Sequence, residues 1–213
     1  MHIPDGLIAP QAFIAAGLIA VPFWVHAVRR VARDLDERLI PRMAVLTALA
    51  FVLSTVMVPL PGGTSVHLTG VGLLVLAFGL WPAFLAFSLV LALQAALLGA
   101  GGITALPVNA LAMGLVGGAV VSGAHRLTGR KKSFWSVLVP VWLGVVVAAV
   151  LLALVLGLQP WLASDASGQP LFFPFGPRVT LPVIVLPHLA IGVAEGMLSW
   201  FVLSALEARR MPA

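Results

Sequence analysis

The chain has 213 residues, 61% of them hydrophobic and only 9% charged, with a mean hydropathy of +1.12. A soluble domain carries roughly 25% charged residues, so this composition excludes a water-soluble globule and predicts an all-α membrane protein with several spans. The net charge of +5 does not mark a nucleic-acid partner, because the basic residues sit in short clusters between apolar runs. The absence of cysteine excludes disulfides, thiolate metal sites and cysteine nucleophiles.

The first apolar segment covers 7–28. Asp5 precedes it and Arg29, Arg30 and Arg33 follow it, the reverse of a signal peptide's charge order. It is expected to remain as a first span with the N-terminus outside. A charged connection leads to a second span over 41–58, which "PLPGGTSVHLTG" breaks with two prolines and adjacent glycines. The apolar run 69–98 would form ~45 Å of helix, too long for one ~30 Å bilayer core. It is read as two short spans, 69–80 and 82–98, hinged at Trp81. "GAGGITALP" precedes a fifth span over 104–125, "RLTGRKK" a sixth over 134–158, and a polar loop a seventh over 179–206.

Seven spans put 29–42, 126–132 and 207–213 in the cytoplasm, and these hold five, four and two of the 12 Lys+Arg. Merging 69–98 into one span would move the last two clusters outside, which the positive-inside rule rejects.

This topology gathers His2, His67 and "GAGGITALP" on the outer side, with Gln94, Asn109 and His188 a short way into the membrane beneath them. Polar groups at such depth usually face the bundle interior or a cavity. The opening "MHIPDG" gives that region a chemistry. A free α-amine on Met1, the deprotonated amide of His2 and its Nδ1 close a five- and a six-membered chelate ring, three nitrogens in a plane. Planar nitrogen sites suit Ni(II) and Cu(II), and His67 can supply a fourth donor. Pro4 and Asp5-Gly6 favour a turn that folds the terminus back over the bundle. Donors of this kind shed protons on binding, so affinity is expected to weaken between pH ~8 and ~5 as amine and imidazoles protonate.

His26 and His125 lie near the cytoplasmic ends of their spans, too far to join. Glu195 falls in the cytoplasmic half of the seventh span and is read as a packing or coupling residue. Small-residue ridges, Ala44/Ala48 and Gly114/Gly118 among them, permit close helix approach within the chain or to another subunit. No HExxH, GxSxG or P-loop occurs, so the chain is not read as an enzyme.

"MHIPDG", "PGGTSVHLTG", "LQAALLGAGGITALPVNALAMG" and "PHLAIGVAEG", in this order, resemble the cobalt/nickel substrate-binding membrane subunit (CbiM/NikM family) of energy-coupling factor transporters. The resemblance implies a plasma-membrane subunit that captures Ni(II) or Co(II) as transported substrate through Met1, His2 and His67. It implies a transmembrane coupling subunit and two cytoplasmic ATPase subunits as partners, with a small companion membrane subunit expected as a separate chain. Ala100, Pro107 and Ala112 depart from the family's usual residues around the loop that shields the site. Two rival readings remain on the residues alone: a vitamin-binding subunit of the same transporter class, and a membrane scaffold or sensor that transports nothing.

Overall fold

In lipid every backbone N–H and C=O must be satisfied within the protein, so long apolar runs become helices. The computed structural model describes residues 2–34, 39–60, 64–131 and 133–208. Helices α1 (Pro10–Asp34) and α2 (Leu39–Thr55) come first, followed by a hairpin of β1 (Val58–Leu60) and β2 (Thr64–Val66). Helix α3 (Val71–Phe78) and α4 (Leu80–Leu93) follow, and α4 ends in a π-helical turn, Gln94–Leu98. Helix α5 (Leu106–Asn109) passes through a π-helical stretch, Ala110–Gly117, into α6 (Gly118–Leu127). Helix α7 (Phe134–Gly157), the short α8 (Gln159–Leu162) and α9 (Pro177–Ala208) complete the chain.

Five stretches are long and apolar enough to cross a membrane: Pro10–Arg33, Leu80–Leu98, Leu106–Leu127, Phe134–Leu162 and Pro177–Ala208. Helix α2, with 17 residues, is shorter. Together with α3 they make a polytopic bundle. Its outer surface is apolar, with Leu18, Val45, Val52, Leu89 and Phe201 more than half exposed, as befits a lipid-facing wall. Phe84, Phe87, Leu73, Leu74, Leu152 and Leu156 fill the centre.

Helices α7 and α9 pack along most of their length. Glycine makes that approach possible: a Cβ on Gly192 would lie 2.9 Å from Trp142 Cδ1, and one on Gly196 would lie 2.9 Å from Leu138 Cα. Trp142 Nε1 donates to the Leu189 carbonyl at 3.0 Å and fixes the pair in register.

The third expected span is the main departure. Helix α3 has eight residues, ~12 Å of rise, and cannot cross a bilayer alone. The chain instead passes from β2 to α3 through an irregular segment that carries His67. Gly70, at φ +74°, makes the turn into α3 where a Cβ would stand 2.7 Å from that of Ala50. The hinge falls at Gly79, not Trp81: at φ +87° and ψ 175° Gly79 adopts a conformation open to glycine and ends α3.

The hairpin was not anticipated either. Val58 pairs with Val66 and Leu60 with Thr64, antiparallel, across the Pro-Gly-Gly at 61–63, which lies outside the described residues. The small-residue ridges divide into two kinds. Helix α2 turns Leu46, Ala50 and Ser54 inward and leaves Ala44 and Ala48 exposed. Gly114 and Gly118 are buried, and a Cβ on either would come within 3.1 Å of Phe84 or Leu80.

Candidate metal centre

The segment before α1 is tied into the bundle at every step. The Asp5 carboxylate accepts hydrogen bonds from the amides of Ile103 and Thr104, both at 2.9 Å, and from the Thr104 hydroxyl. Burial pushes this carboxyl up, but those bonds outweigh it and its pKa lies below the ordinary carboxylate value. Gly6, at φ +82°, makes the turn that Asp5-Gly6 announces. Asn109 clasps Ile3 from both sides: its Oδ1 accepts from the Ile3 amide at 2.9 Å and its Nδ2 donates to the Ile3 carbonyl at 3.0 Å. Gln159 Oε1 accepts from the Ala9 amide at 2.7 Å, and the Phe173 amide donates to the Leu7 carbonyl at 3.3 Å.

These anchors thread His2 into the bundle, where it is 2% exposed. Gly101, at φ +75°, covers it so closely that a Cβ there would stand 3.2 Å from His2 Cβ. His67, also 2% exposed, meets it, with ring centroids 4.3 Å apart and planes tilted by 48°. His67 Nδ1 donates to the Leu68 carbonyl at 2.9 Å. That bond assigns the proton to Nδ1 and leaves Nε2 as a lone-pair donor. Both nitrogens of His2 and Nε2 of His67 are buried with no hydrogen-bond partner among the described residues. Burying unpartnered polar atoms is costly, and a metal-binding role is one way such a cost is justified.

The environment keeps both rings neutral. Burial, then the neighbouring His67, holds the His2 pKa well below the ordinary imidazole value. Burial, then the charge of the amino terminus, lowers His67 to about 3. Neutral imidazole is the form that ligates metals. Among the described residues no three His, Cys, Asp or Glu side chains gather to hold an ion; the site expected from the sequence also takes main-chain nitrogen. Met1, the expected source of one such nitrogen, lies outside the described residues.

Of the other candidates, His188 and Asn109 join this region and Gln94 is one step removed. His188 is fully buried on α9; its Nδ1 donates to the Ile184 carbonyl at 2.6 Å, and its Nε2 has no partner among the described residues. Helix α9 packs on β2 and is bonded to Thr69 through Glu195, so it flanks the His67 segment on both sides of that residue. Gln94 Nε2 donates to Ser54 Oγ at 2.7 Å, linking α4 to α2. Its backbone carbonyl accepts from the Gly99 and Ala100 amides, where the covering loop starts, while its side-chain Oε1 is buried without a partner among the described residues.

Glu195 is nearer the candidate site than its place in the sequence suggested. Its two carboxylate oxygens accept from the Thr69 amide at 2.8 Å and the Thr69 hydroxyl at 2.6 Å, at the entrance to α3. Gln159 and Gly101 were missed in the sequence. Gln159-Pro160 at the close of an apolar run was the available signal for the first, and the paired glycines of "GAGG" for the second.

Residues 2–213 match the family described as cobalt uptake substrate-specific transmembrane region, CbiM. The fused nickel transport protein NikMN of Rhodobacter capsulatus is 36% identical over 228 residues, covering all of this chain and 66% of its own length. The cobalt transport protein CbiM of Chlorobium limicola is 32% identical, covering 97% of this chain and 80% of its own. The chain thus spans about two thirds of the fused relative's length. A crystal structure of a truncated transition-metal transporter, 36% identical, superposes with a TM-score of 0.94 over 98% of this chain and 99% of its own. With the family match running from the buried His2 through α9, and the fold shared throughout, the chain belongs to the CbiM family of substrate-specific transmembrane regions, whose members are transport proteins and not enzymes.

Proposed function

We infer that this protein is the substrate-capture subunit of an energy-coupling factor importer and binds Ni(II) or Co(II) at the outer face. The donors are the Met1 α-amine, the His2 amide nitrogen and Nδ1, and His67 Nε2. One observation carries the reading: the buried His2–His67 pair, with three ring nitrogens that lack partners among the described residues. The planar set that His2 Nδ1 and His67 Nε2 make with the amine and amide suits a d⁸ or d⁷ ion. The names of relatives, nickel transport for some and cobalt transport for others, favour the same cargo.

The distribution of Lys and Arg supports an outer N-terminus and a cytoplasmic C-terminus. In that orientation the ion is captured outside, and ATP hydrolysis falls to two cytoplasmic ATPase subunits acting through a transmembrane coupling subunit. A small companion membrane protein completes the assembly. The exposed Ala44/Ala48 ridge on α2 is the surface we assign to a neighbouring subunit.

Extending the N-terminus by one residue converts the amine into an amide and removes a donor. Titration of the purified protein with Ni(II) is expected to show affinity falling by about 100-fold or more, ~2.7 kcal/mol, with the fold unchanged by circular dichroism. Equal affinity in the extended protein would exclude the amine and with it the proposed chelate.

A further inference from the structure

At the opposite end of the bundle from His2, a cavity of about 380 Å³ opens where α3 stops short. Helices α5 and α6 span the distance between the two, ~30 Å from Thr104 to His125 at 1.5 Å per residue. The cavity's walls are apolar, formed by Val75, Leu80, Val137, Trp200 and Leu203. Its polar margin carries His125, Arg126 and Arg130, with Glu207 the one carboxylate among the described lining residues.

That margin is built by specific bonds. Helix α6 ends in a turn in which the Gly129 amide donates to the Arg126 carbonyl at 3.0 Å and the Arg130 amide to the His125 carbonyl at 3.1 Å. The Thr128 hydroxyl donates to the same His125 carbonyl at 2.8 Å. His125 Nδ1 donates to the Ser136 carbonyl at 2.8 Å and ties the turn to α7. Arg130 sits at φ +56°, the one non-glycine residue with positive φ among the described residues. An arginine kept in a left-handed conformation, next to a glycine that adopts it freely, is an outlier of the kind that marks functional positions. Trp135, 67% exposed at the start of α7, sets this level at the membrane–water boundary, where such rings accumulate.

We propose that the cavity binds an anionic phospholipid of the adjoining leaflet, its phosphate on Arg126 and Arg130 and an acyl chain against Val75, Trp200 and Leu203. Charge complementarity selects an anion, and basic pockets between transmembrane helices suit such headgroups. The apolar depth selects one with a hydrocarbon tail over free phosphate. The proposal does not depend on metal binding.

The test uses the whole chain purified in a neutral detergent. Native mass spectrometry measures retained lipid after exposure to phosphatidylglycerol or to phosphatidylcholine of the same acyl chains. Retention of phosphatidylglycerol should exceed that of phosphatidylcholine at least fivefold, and Arg126→Gln/Arg130→Gln should bring it down to the phosphatidylcholine level. Arg178→Gln, at the far end of the bundle, should leave it unchanged. Should the double variant fail to fold, Arg126→Gln alone, on an exposed helical position, should at least halve retention. Equal retention of the two lipids, or retention indifferent to the arginines, would overturn the proposal. So would a thermal shift from inorganic phosphate equal to that from phosphatidylglycerol, which would make the cavity a free-anion site. Loss of co-purification with the coupling subunit at unchanged lipid retention would reassign the surface to a protein partner and overturn it equally.

Discussion

Thr69 and Glu195, 126 positions apart in the chain, are joined inside the bundle by two hydrogen bonds, from the Thr69 amide and hydroxyl to the two oxygens of one carboxylate. Thr69 opens the path into α3 and lies two residues beyond His67, so the carboxylate on α9 sets where the imidazole sits.

Glu195→Ala should therefore reach further than its own contact. It leaves the buried Thr69 amide and hydroxyl without an acceptor, at ~1–3 kcal/mol for each such group. The melting temperature should fall, and nickel affinity of the folded fraction should fall with it. Thermal unfolding and metal titration on the same preparation measure both. Affinity unchanged in a destabilised protein would separate Glu195 from the His67 segment.

His67→Leu keeps volume and removes the unpartnered Nε2. The metal-free protein is expected to melt within a few degrees of the parent, while stabilisation by metal disappears. In the parent that stabilisation is ~2.7 kcal/mol at a ligand concentration one hundred times Kd. Paired unfolding curves with and without Ni(II) decide it, and a variant still stabilised by metal would show that His67 is not a ligand.

Asn109→Ala cuts both bonds to Ile3 and leaves a buried amide and carbonyl unsatisfied. Stability should drop by ~1–3 kcal/mol. Metal affinity should drop too, because Ile3 positions its neighbour His2. Asn109→Asp, which keeps the acceptor and loses the donor, should fall between Ala and the parent in both measurements.

The pH dependence differs from the one an exposed histidine site would give. An unfolded imidazole takes a proton near pH ~6.5, whereas His67 is held neutral to about 3 and His2 well below its ordinary value. Across that window the unfolded chain binds more protons, so the metal-free protein loses stability as pH falls from ~6.5 toward ~3. The imidazoles have no proton to release on binding at neutral pH. Protons then come from the amine and the His2 amide, and affinity should decline smoothly below pH ~8 without steepening near ~6.5. Calorimetry in buffers of differing ionisation heat counts them, and about two per metal is expected at pH ~7. A third proton appearing near pH ~6.5 would mean that an imidazole titrates in the free protein.

Hydropathy made the long helices legible, because a span of twenty apolar residues has few alternatives in lipid. The same reasoning divides 69–98 into two short helices, as the structure does, but it places the hinge at Trp81 where Gly79 ends α3. It does not show that the eight residues Val71–Phe78 are too few to cross. Alternation in Val58–Leu60 and Thr64–Val66 was too short to announce a hairpin. At the candidate site, His2 and His67 stood out because their chemistry is rare in so apolar a chain. Gln159 did not, since its bond to the Ala9 amide spans 150 positions, and only the folded chain brings the two together. The imidazoles depart from the titration expected of the sequence for a related reason: burial, which lowers both, is a property of the assembled bundle.

Residues 3, 7 and 9 find their partners at Asn109, Phe173 and Gln159. A ribosome delivers the leading segment long before any of those partners exists. Until His67, Gly101 and Asn109 have been made, His2 lacks the contacts that seat it, and α1 must enter the membrane with its forward end undocked. The candidate metal site thus forms only after residues far along the chain have arrived, although it opens with residues made well before them. A bundle whose leading segment has not seated would have its spanning helices and core and still be unable to hold an ion.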